Sequence, residues 1–325
     1  MSSMVNETIT SGTNPRIKRL LALQEKSSLR RETGLFVVEG LREVQRCAAS
    51  GYELESVFVC PELCPETGLP AECQNPEGRA TRGTEAGGGD GLNGCREPER
   101  NASRSPLGCR GIRSIPSERR VSPKGELPQG SGTPREVFHL SRRVYEKVAY
   151  RGGTEGVIAV VRARELPLEA LSLPENPLIL VMENVEKPGN IGAVLRSADA
   201  AGADAVLVCG SPTDLYNPNV IRASLGTVFS CQVCCCSSAD AIAFLKARGI
   251  RILTAQLQDS VPYYGTDMTA GTAIIAGSEA SGLSEAWREA ADSHILIPML
   301  GIADSLNVSV SAAILLYEAR RQRNG

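Results

Sequence analysis

Between residues 178 and 300 five short apolar runs recur: LILVM (178–182), DAVLVCG (204–210), IRILTAQ (250–256), TAIIAGS (272–278) and HILIPML (294–300). Runs of this length without polar alternation read as strands buried on both faces, and strands separated by helices read as a parallel sheet. Helical patterning fits residues 193–201, 219–225, 239–248 and 285–291, and a last helix fits 308–321. The fold class expected is α/β, and a site in such a sheet belongs at the C-terminal ends of the strands.

A smaller α/β unit is expected ahead of it. Asn14 can cap a helix whose first position is Pro15, with Ile17, Leu20 and Leu21 as its apolar stripe. Strands are expected at 35–38, 54–59 and 157–161, and a helix at 41–49. Residues 14–31 carry Arg16, Lys18, Arg19, Lys26, Arg30 and Arg31 against the single Glu25, which suits either a solvated helix face or a phosphate-binding patch. Arg142, Arg143, Lys147 and Arg151 would extend that patch.

Residues 65–134 hold 13 Gly and 9 Pro, a low-complexity composition that predicts a disordered insertion. Its ten basic and nine acidic residues nearly cancel, so it reads as a plain insertion and not as a binding arm. The expected organisation is therefore a first domain over 1–163 interrupted by that insertion, a proline-bearing linker over 164–177, and a second domain over 178–325.

No apolar run approaches the roughly 18 residues a membrane span needs, and the first residues have no signal-peptide pattern. Both point to the cytoplasm. The net charge of −2 means that any grip on nucleic acid comes from local patches. Eleven cysteines, an odd number in a chain of 325 residues without an export signal, read as free thiols. Cys231 and Cys234 make a lone CxxC, Cys60 and Cys64 a looser pair, and the chain has only His139 and His294, so no metal is expected. The run from Cys231 to Cys236 reads instead as strand-like core.

Three strand-end segments could carry chemistry. ENVEKPGNIGAVLRSADAAGAD (183–204) passes through a polar, glycine-bearing turn into a helix, with Asn190 at the turn and Arg196 a turn inside the helix. AGSEASGL (276–283) runs from a strand into small residues around Glu279, where a ligand can lie against backbone. IPMLGIADSLNVSVSAAILLYEARRQR (297–323) is broken by Pro298 and Gly301, and Ser305 and Asn307 precede an amphipathic helix that either could also cap.

In this order and spacing the segments resemble the three signature motifs of the SpoU/TrmH family of RNA 2′-O-ribose methyltransferases, within the SPOUT superfamily. NIGAVLR matches the first, Gly277, Glu279 and Gly282 the second, and IPMLG followed by SLNVSV the third, together spanning most of residues 178–323. NPRIKRLLAL, FVVEG and YRGGTEGVIAV resemble the substrate-binding domain found in rRNA-directed members. The resemblance implies a trefoil knot in the second domain, a homodimer, S-adenosyl-L-methionine (AdoMet) as cofactor and RNA, most of all rRNA, as substrate. It implies cofactor contacts at Gly277, Ile297, Met299 and Leu306, and catalytic or substrate-positioning roles for Asn190, Arg196, Glu279, Ser305 and Asn307. Arg16, Lys18, Arg19, Arg30 and Arg31 are then the candidate RNA contacts.

Other readings are weaker. A dinucleotide-dependent oxidoreductase shares the strand–helix rhythm, but no GxGxxG follows any expected strand. A catalytically silent rRNA-binding protein would not need Arg196, Glu279 and Asn307 together, and the same chemistry on tRNA differs only in target. A guanidinium is normally protonated, so Arg196 is a costly general base. An RNA phosphate taking the proton while Arg196 orients the 2′-oxygen is one alternative; deprotonation of Arg196 within the assembled site is another.

Overall fold

A computed structural model describes residues 8–64, 134–150, 155–210, 214–278 and 282–324. Glu279, Arg151 and all but the last residue of the expected insertion lie outside them.

The N-terminal elements are β1 (Thr8–Ile9), α1 (Pro15–Glu25), α2 (Ser27–Thr33), β2 (Leu35–Glu39), α3 (Leu41–Ala49), β3 (Leu54–Val59), β4 (Glu136–Leu140), α4 (Arg142–Val148) and β5 (Val157–Arg162). Asn14 caps α1 by accepting the Arg16 N–H at 2.9 Å, and Pro15 occupies the first turn, as its fixed φ allows. The five strands form a mixed sheet in the order β1-β4-β3-β5-β2. β5 lies antiparallel between β3 and β2, while β4 runs parallel to both β1 and β3.

The C-terminal elements are β6 (Leu178–Glu183), α5 (Pro188–Ala201), β7 (Ala205–Cys209), α6 (Pro218–Ala223), α7 (Thr227–Ser230), β8 (Val233–Cys236), α8 (Ser238–Ala247), β9 (Arg251–Ala255), β10 (Val261–Pro262), β11 (Thr272–Ala276), α9 (Glu285–Ala290), β12 (Ser293–Leu296) and α10 (Val308–Asn324). All seven strands are parallel, in the order β10-β12-β9-β11-β6-β7-β8. The chain steps outward from β6 to β7 and β8, then crosses to the other side for β9, so the order reverses between β6 and β11. Ligands in open α/β sheets sit at such a reversal. Leu178, Leu180 and Met182 of β6 bury on one face and Ile179 and Val181 on the other, as a sheet covered on both sides requires. Residues of α5 and α10 join the first face, and residues of α8 and α9, with Trp287 fully buried, the second.

Several boundaries differ from those expected. α5 starts at Pro188, five residues before Ala193, so Asn190 lies in its first turn and Gly192 just beyond it, and neither is in a preceding loop. Proline at the first helical position costs no hydrogen bond. Gly192 is there because α5 crosses α6 closely: a Cβ would lie 2.8 Å from the Ser224 nitrogen. The run HILIPML is strand only to Leu296, since Pro298 has no N–H for the ladder. In the cysteine run, strand covers Val233–Cys236 and only Cys234 is fully buried; Cys235 is exposed. Residues 164–177 pack onto the second sheet through Leu168 and Leu171.

The two sheets share one core. Phe36, Val38 and Tyr52 are continuous with Phe229 and Tyr216, and Phe36 stacks on Tyr216 with centroids 4.2 Å apart. Arg164 lies over the Tyr52 ring at 4.6 Å and donates to the Ser50 and Gly51 carbonyls, while the Tyr216 hydroxyl donates to the Arg164 carbonyl at 2.6 Å.

Arg30 corrects an expectation. Its side chain is 4 % exposed, its Nε donates to Asp214 Oδ2 at 2.6 Å, and its Nη1 donates to the Leu23 and Gln24 carbonyls. It ties α1 and α2 to the loop ahead of α6 and is no free phosphate contact in this conformation. Removing one member of a buried pair strands the other charge, so Arg30→Ala is expected to cost about 3–5 kcal/mol. Lys18→Ala, at an exposed position, should stay within about 0.5 kcal/mol. Urea unfolding reads both; equal, small losses would contradict the role given to Arg30.

No helix among the described residues is long and apolar enough to cross a membrane.

Candidate active site

The site is built where β6 and β11 end side by side. Ala276 pairs with Met182, which sets Gly277 beside Glu183. Glu183 is a carboxylate buried at the strand end, and it is fully engaged. It accepts the Ser284 N–H and hydroxyl, each at 2.7 Å, and the Ser238 hydroxyl at 2.9 Å. A buried charge is tolerated only with such partners, and these fix the turn after β11 to the strand in front of α5. Asn184 follows with φ 53°, a left-handed conformation that asparagine accepts more readily than most residues. Its N–H donates to the Cys209 carbonyl at 3.0 Å.

The turn after β11 closes on itself. Ser278 bridges Gly282, whose N–H donates to the Ser278 carbonyl at 3.0 Å. A Cβ on Gly277 would press into the Gly282 carbonyl and lie 2.9 Å from the Leu283 nitrogen. Glycine at 277 therefore lets the two ends of the turn close backbone against backbone. Gln256 follows β9 on the same edge of the sheet, and its Oε1 is buried with no hydrogen-bond partner among the described residues. An unsatisfied buried acceptor of this kind asks for a donor from outside the chain.

The third segment, 297–307, returns to the first. Asn307 Nδ2 donates to Asn190 Oδ1 at 3.2 Å, while Asn307 Oδ1 accepts the Ser309 N–H at 3.0 Å and its hydroxyl at 2.6 Å. Asn307 thus caps α10 and reaches the first turn of α5 at once. Arg196, one face further along α5, is exposed and lines a groove with Pro188, Gly189, Asn219, Arg222, Ala223 and Leu225. Ile297 is half-buried against the core, Met299 and Leu306 are half-buried, and Ser305 is exposed with its hydroxyl on Asp304 Oδ1 at 3.2 Å.

The structure therefore brings Asn190 and Asn307 into contact, places Arg196 on the helix that Asn190 opens, and sets Gly277 at the neighbouring strand end. Ser305 instead bonds to its neighbour Asp304. The basic residues of α1 stand apart. Ile17, Leu20 and Leu23 of α1 pack on the sheet face that carries Leu35 and Val37, opposite the Phe36 face joined to the second sheet. Arg19 pairs with the half-buried Glu55 at 3.2 Å and Arg16 with the exposed Glu136 at 4.0 Å; both arginines are themselves exposed, and such surface pairs are worth about 0–1 kcal/mol, so a phosphate can replace the carboxylate. Lys18 and Arg31 are exposed. Glu183, Gln256 and Arg222 were not among the expected site residues. Glu183 carried a signal, an acid ending an apolar strand at the order reversal, whereas Gln256 and Arg222 carried none.

The model of the SpoU rRNA Methylase family matches residues 177–317, and that of the MRM3-like substrate binding domain matches residues 14–83. The 23S rRNA (guanosine(2553)-2′-O)-methyltransferase RlmP of Bacillus subtilis is 31% identical over 200 residues, covering 62% of this chain and 79% of that one. The chain belongs to the SpoU rRNA methylase family. A crystal structure described as an RNA 2′-O ribose methyltransferase superposes on this SpoU member with a TM-score of 0.69 and 36% identity, over 98% of this chain and 100% of that one. The SpoU methyltransferase AviRb from Streptomyces viridochromogenes, solved in complex with the cofactor AdoMet, shares the fold at a TM-score of 0.69 with 24% identity, over 96% and 99% of the two chains. As a SpoU family member the protein is an RNA 2′-O-methyltransferase.

Among the described residues no group of three or more His, Cys, Asp or Glu side chains is placed to hold a metal ion.

Proposed function

We propose that this SpoU protein methylates a ribose 2′-hydroxyl of 23S rRNA with AdoMet as donor. The observation that carries the reading is the hydrogen bond between Asn307 and Asn190, which closes the first and third motif segments on each other. The ribosomal target is supported by the substrate-binding match at the N-terminus and by the relative from B. subtilis.

The residues present fit AdoMet. Gly277 follows β11 without a side chain, and the buried Gln256 Oε1 at the end of the neighbouring strand β9 lacks a donor that the cofactor's amino group would supply; the backbone at Ile297 and Leu306 and the side chain of Met299 are assigned the remaining contacts. AdoMet, when bound, supplies a methyl group made electrophilic by its sulfonium. The chain's own part is to present the ribose oxygen in line and to assist loss of its proton. In this reading Arg196 donates to the ribose oxygen or to a neighbouring phosphate, Asn190 and Asn307 hold α5 and α10 in register, and Glu279 and Ser305 complete the substrate contacts. Glu183 positions the Gly277 turn.

Residues 1–163 are assigned to RNA binding, 164–177 to the connection and 178–325 to transfer, the last with the knotted path the family resemblance implies. A homodimer in the cytoplasm is part of the same proposal: Leu300 and Ile302 are fully exposed and Tyr317 is half exposed on the loop and helix that follow β12, apolar surface that a second copy would cover.

Incubating the protein with radiolabelled AdoMet and an equimolar mixture of deproteinised 23S rRNA and tRNA tests the reading. Label is expected in 23S rRNA, and AdoMet but not NAD should raise the melting temperature. Label confined to tRNA would overturn the ribosomal target, and RNA binding without label would favour the silent binder.

A further inference from the structure

Two guanidinium groups line the same groove without a hydrogen-bond or ion-pair partner among the described residues. They belong to Arg196 and Arg222, both exposed. Arg222 also lines the adjoining cleft between the two sheets, with Gln24, Val37, Glu39, Tyr150, Pro218 and Ile221. It therefore stands where the substrate-binding half gives way to α5. The Tyr150 ring beside it is 50 % exposed, and its hydroxyl lies 3.4 Å from Asn219 Nδ2. The Tyr150 N–H donates to Glu39 Oε2 at 2.8 Å, which fixes the residue that carries the ring and engages one oxygen of the carboxylate lining the cleft. On the other rim Arg46, from α3, donates to the Leu225 carbonyl and adds a third cation.

Paired unpartnered cations beside an exposed aromatic face suit a single-stranded RNA segment, whose phosphates take the charge and whose bases stack on aromatic rings. Two arginines on one groove, with a half-exposed tyrosine at its end, favour a ligand that carries both negative charge and a flat ring. The guanidinium fork matches a phosphate in two hydrogen bonds, which fixes orientation as well as affinity.

Resting on the function proposed above, we propose that Arg222 binds the phosphate of the nucleotide flanking the reacting ribose and that Tyr150 stacks that nucleotide's base. Arg222 is a positioning residue: it orders the strand so that the neighbouring ribose meets Arg196 and the Asn190–Asn307 pair.

The test uses the full chain, AdoMet and a 23S rRNA fragment spanning the mapped target, made with a neutral methylphosphonate at each flanking phosphate in turn. Arg222→Ala should raise KM for the fragment about tenfold, leave AdoMet affinity and melting temperature unchanged, and flatten the log Kd against log salt slope by about 0.7. Arg222→Lys should recover part of the KM, and Tyr150→Ala should raise KM with the salt slope intact. One methylphosphonate should weaken wild-type binding as Arg222→Ala does and add nothing to that variant. A wild type that methylates the fragment while Arg222→Ala keeps KM and slope would overturn this inference alone. Multiplying effects of variant and methylphosphonate would overturn it too, whereas a wild type inert on every RNA overturns the underlying reading.

Discussion

Arg196→Ala is expected to reduce single-turnover methyl transfer by about 10²–10³-fold, the range for losing a donor aimed at developing charge, with AdoMet affinity near that of the wild type. The separation follows from where the side chain stands. Arg196 projects into the groove beside Pro188 and Arg222, while the cradle assigned to AdoMet is built by Gly277, Gln256 and the loop after β12. A guanidinium without a carboxylate partner remains a donor of fixed shape. Its contribution is then to hold the ribose oxygen, or the phosphate next to it, as charge develops. Arg196→Lys keeps the charge and loses the planar fork, so it should recover little. Calorimetry with AdoMet and rapid-quench transfer separate the two quantities. Cofactor affinity lost in parallel with transfer would remove Arg196 from the chemistry.

Gly277→Ala should act in the opposite sense, weakening AdoMet binding by about 10–100-fold, the equivalent of the 1–3 kcal/mol that overpacking costs. The added methyl would meet the Gly282 carbonyl and the Leu283 nitrogen, backbone that can retreat only by opening the turn Glu183 holds through Ser284. Gly282 offers a control within the same turn. Its φ is +64° and an added Cβ meets nothing within 4 Å, so Gly282→Ala carries only the left-handed penalty of about 1–2 kcal/mol, and Gly282→Asn should be milder still. Isothermal titration with AdoMet, alongside melting curves, reads all three. A Gly277→Ala protein that binds AdoMet normally would show that the turn is not the cradle.

Both predictions depend on features of unequal visibility in the sequence. The parallel sheet was legible because each strand is apolar on both faces; Leu178 to Met182 needs no alternation to identify it. Helix α1 was legible through Asn14 and Pro15. The start of α5 was not: Gly189 and Gly192 read as loop, and only the close crossing with α6 explains a glycine inside that helix. Arg30 looked like its basic neighbours, because burial against Asp214, 184 residues away, leaves no local trace. Gln256 and Arg222 have ordinary surroundings in the chain and become notable only when β9 ends between β11 and β12, and α6 against α5. Charge density along a helix also misled about position. None of the basic residues of α1 lines the groove, while Arg196 and Arg222, which line it without a side-chain partner among the described residues, are isolated in sequence.

The central claim is that one pocket brings a sulfonium methyl to a sugar oxygen, and the chemical identity of the product tests it most directly. RNA labelled by the purified protein can be digested to nucleosides and resolved by mass spectrometry, after alkaline hydrolysis of a parallel sample. The expected product is a single 2′-O-methylnucleoside, recovered from alkali as an uncleaved dinucleotide because the blocked oxygen can no longer attack its phosphate. A methyl group on a base, released in alkali as a mononucleotide, would contradict the account.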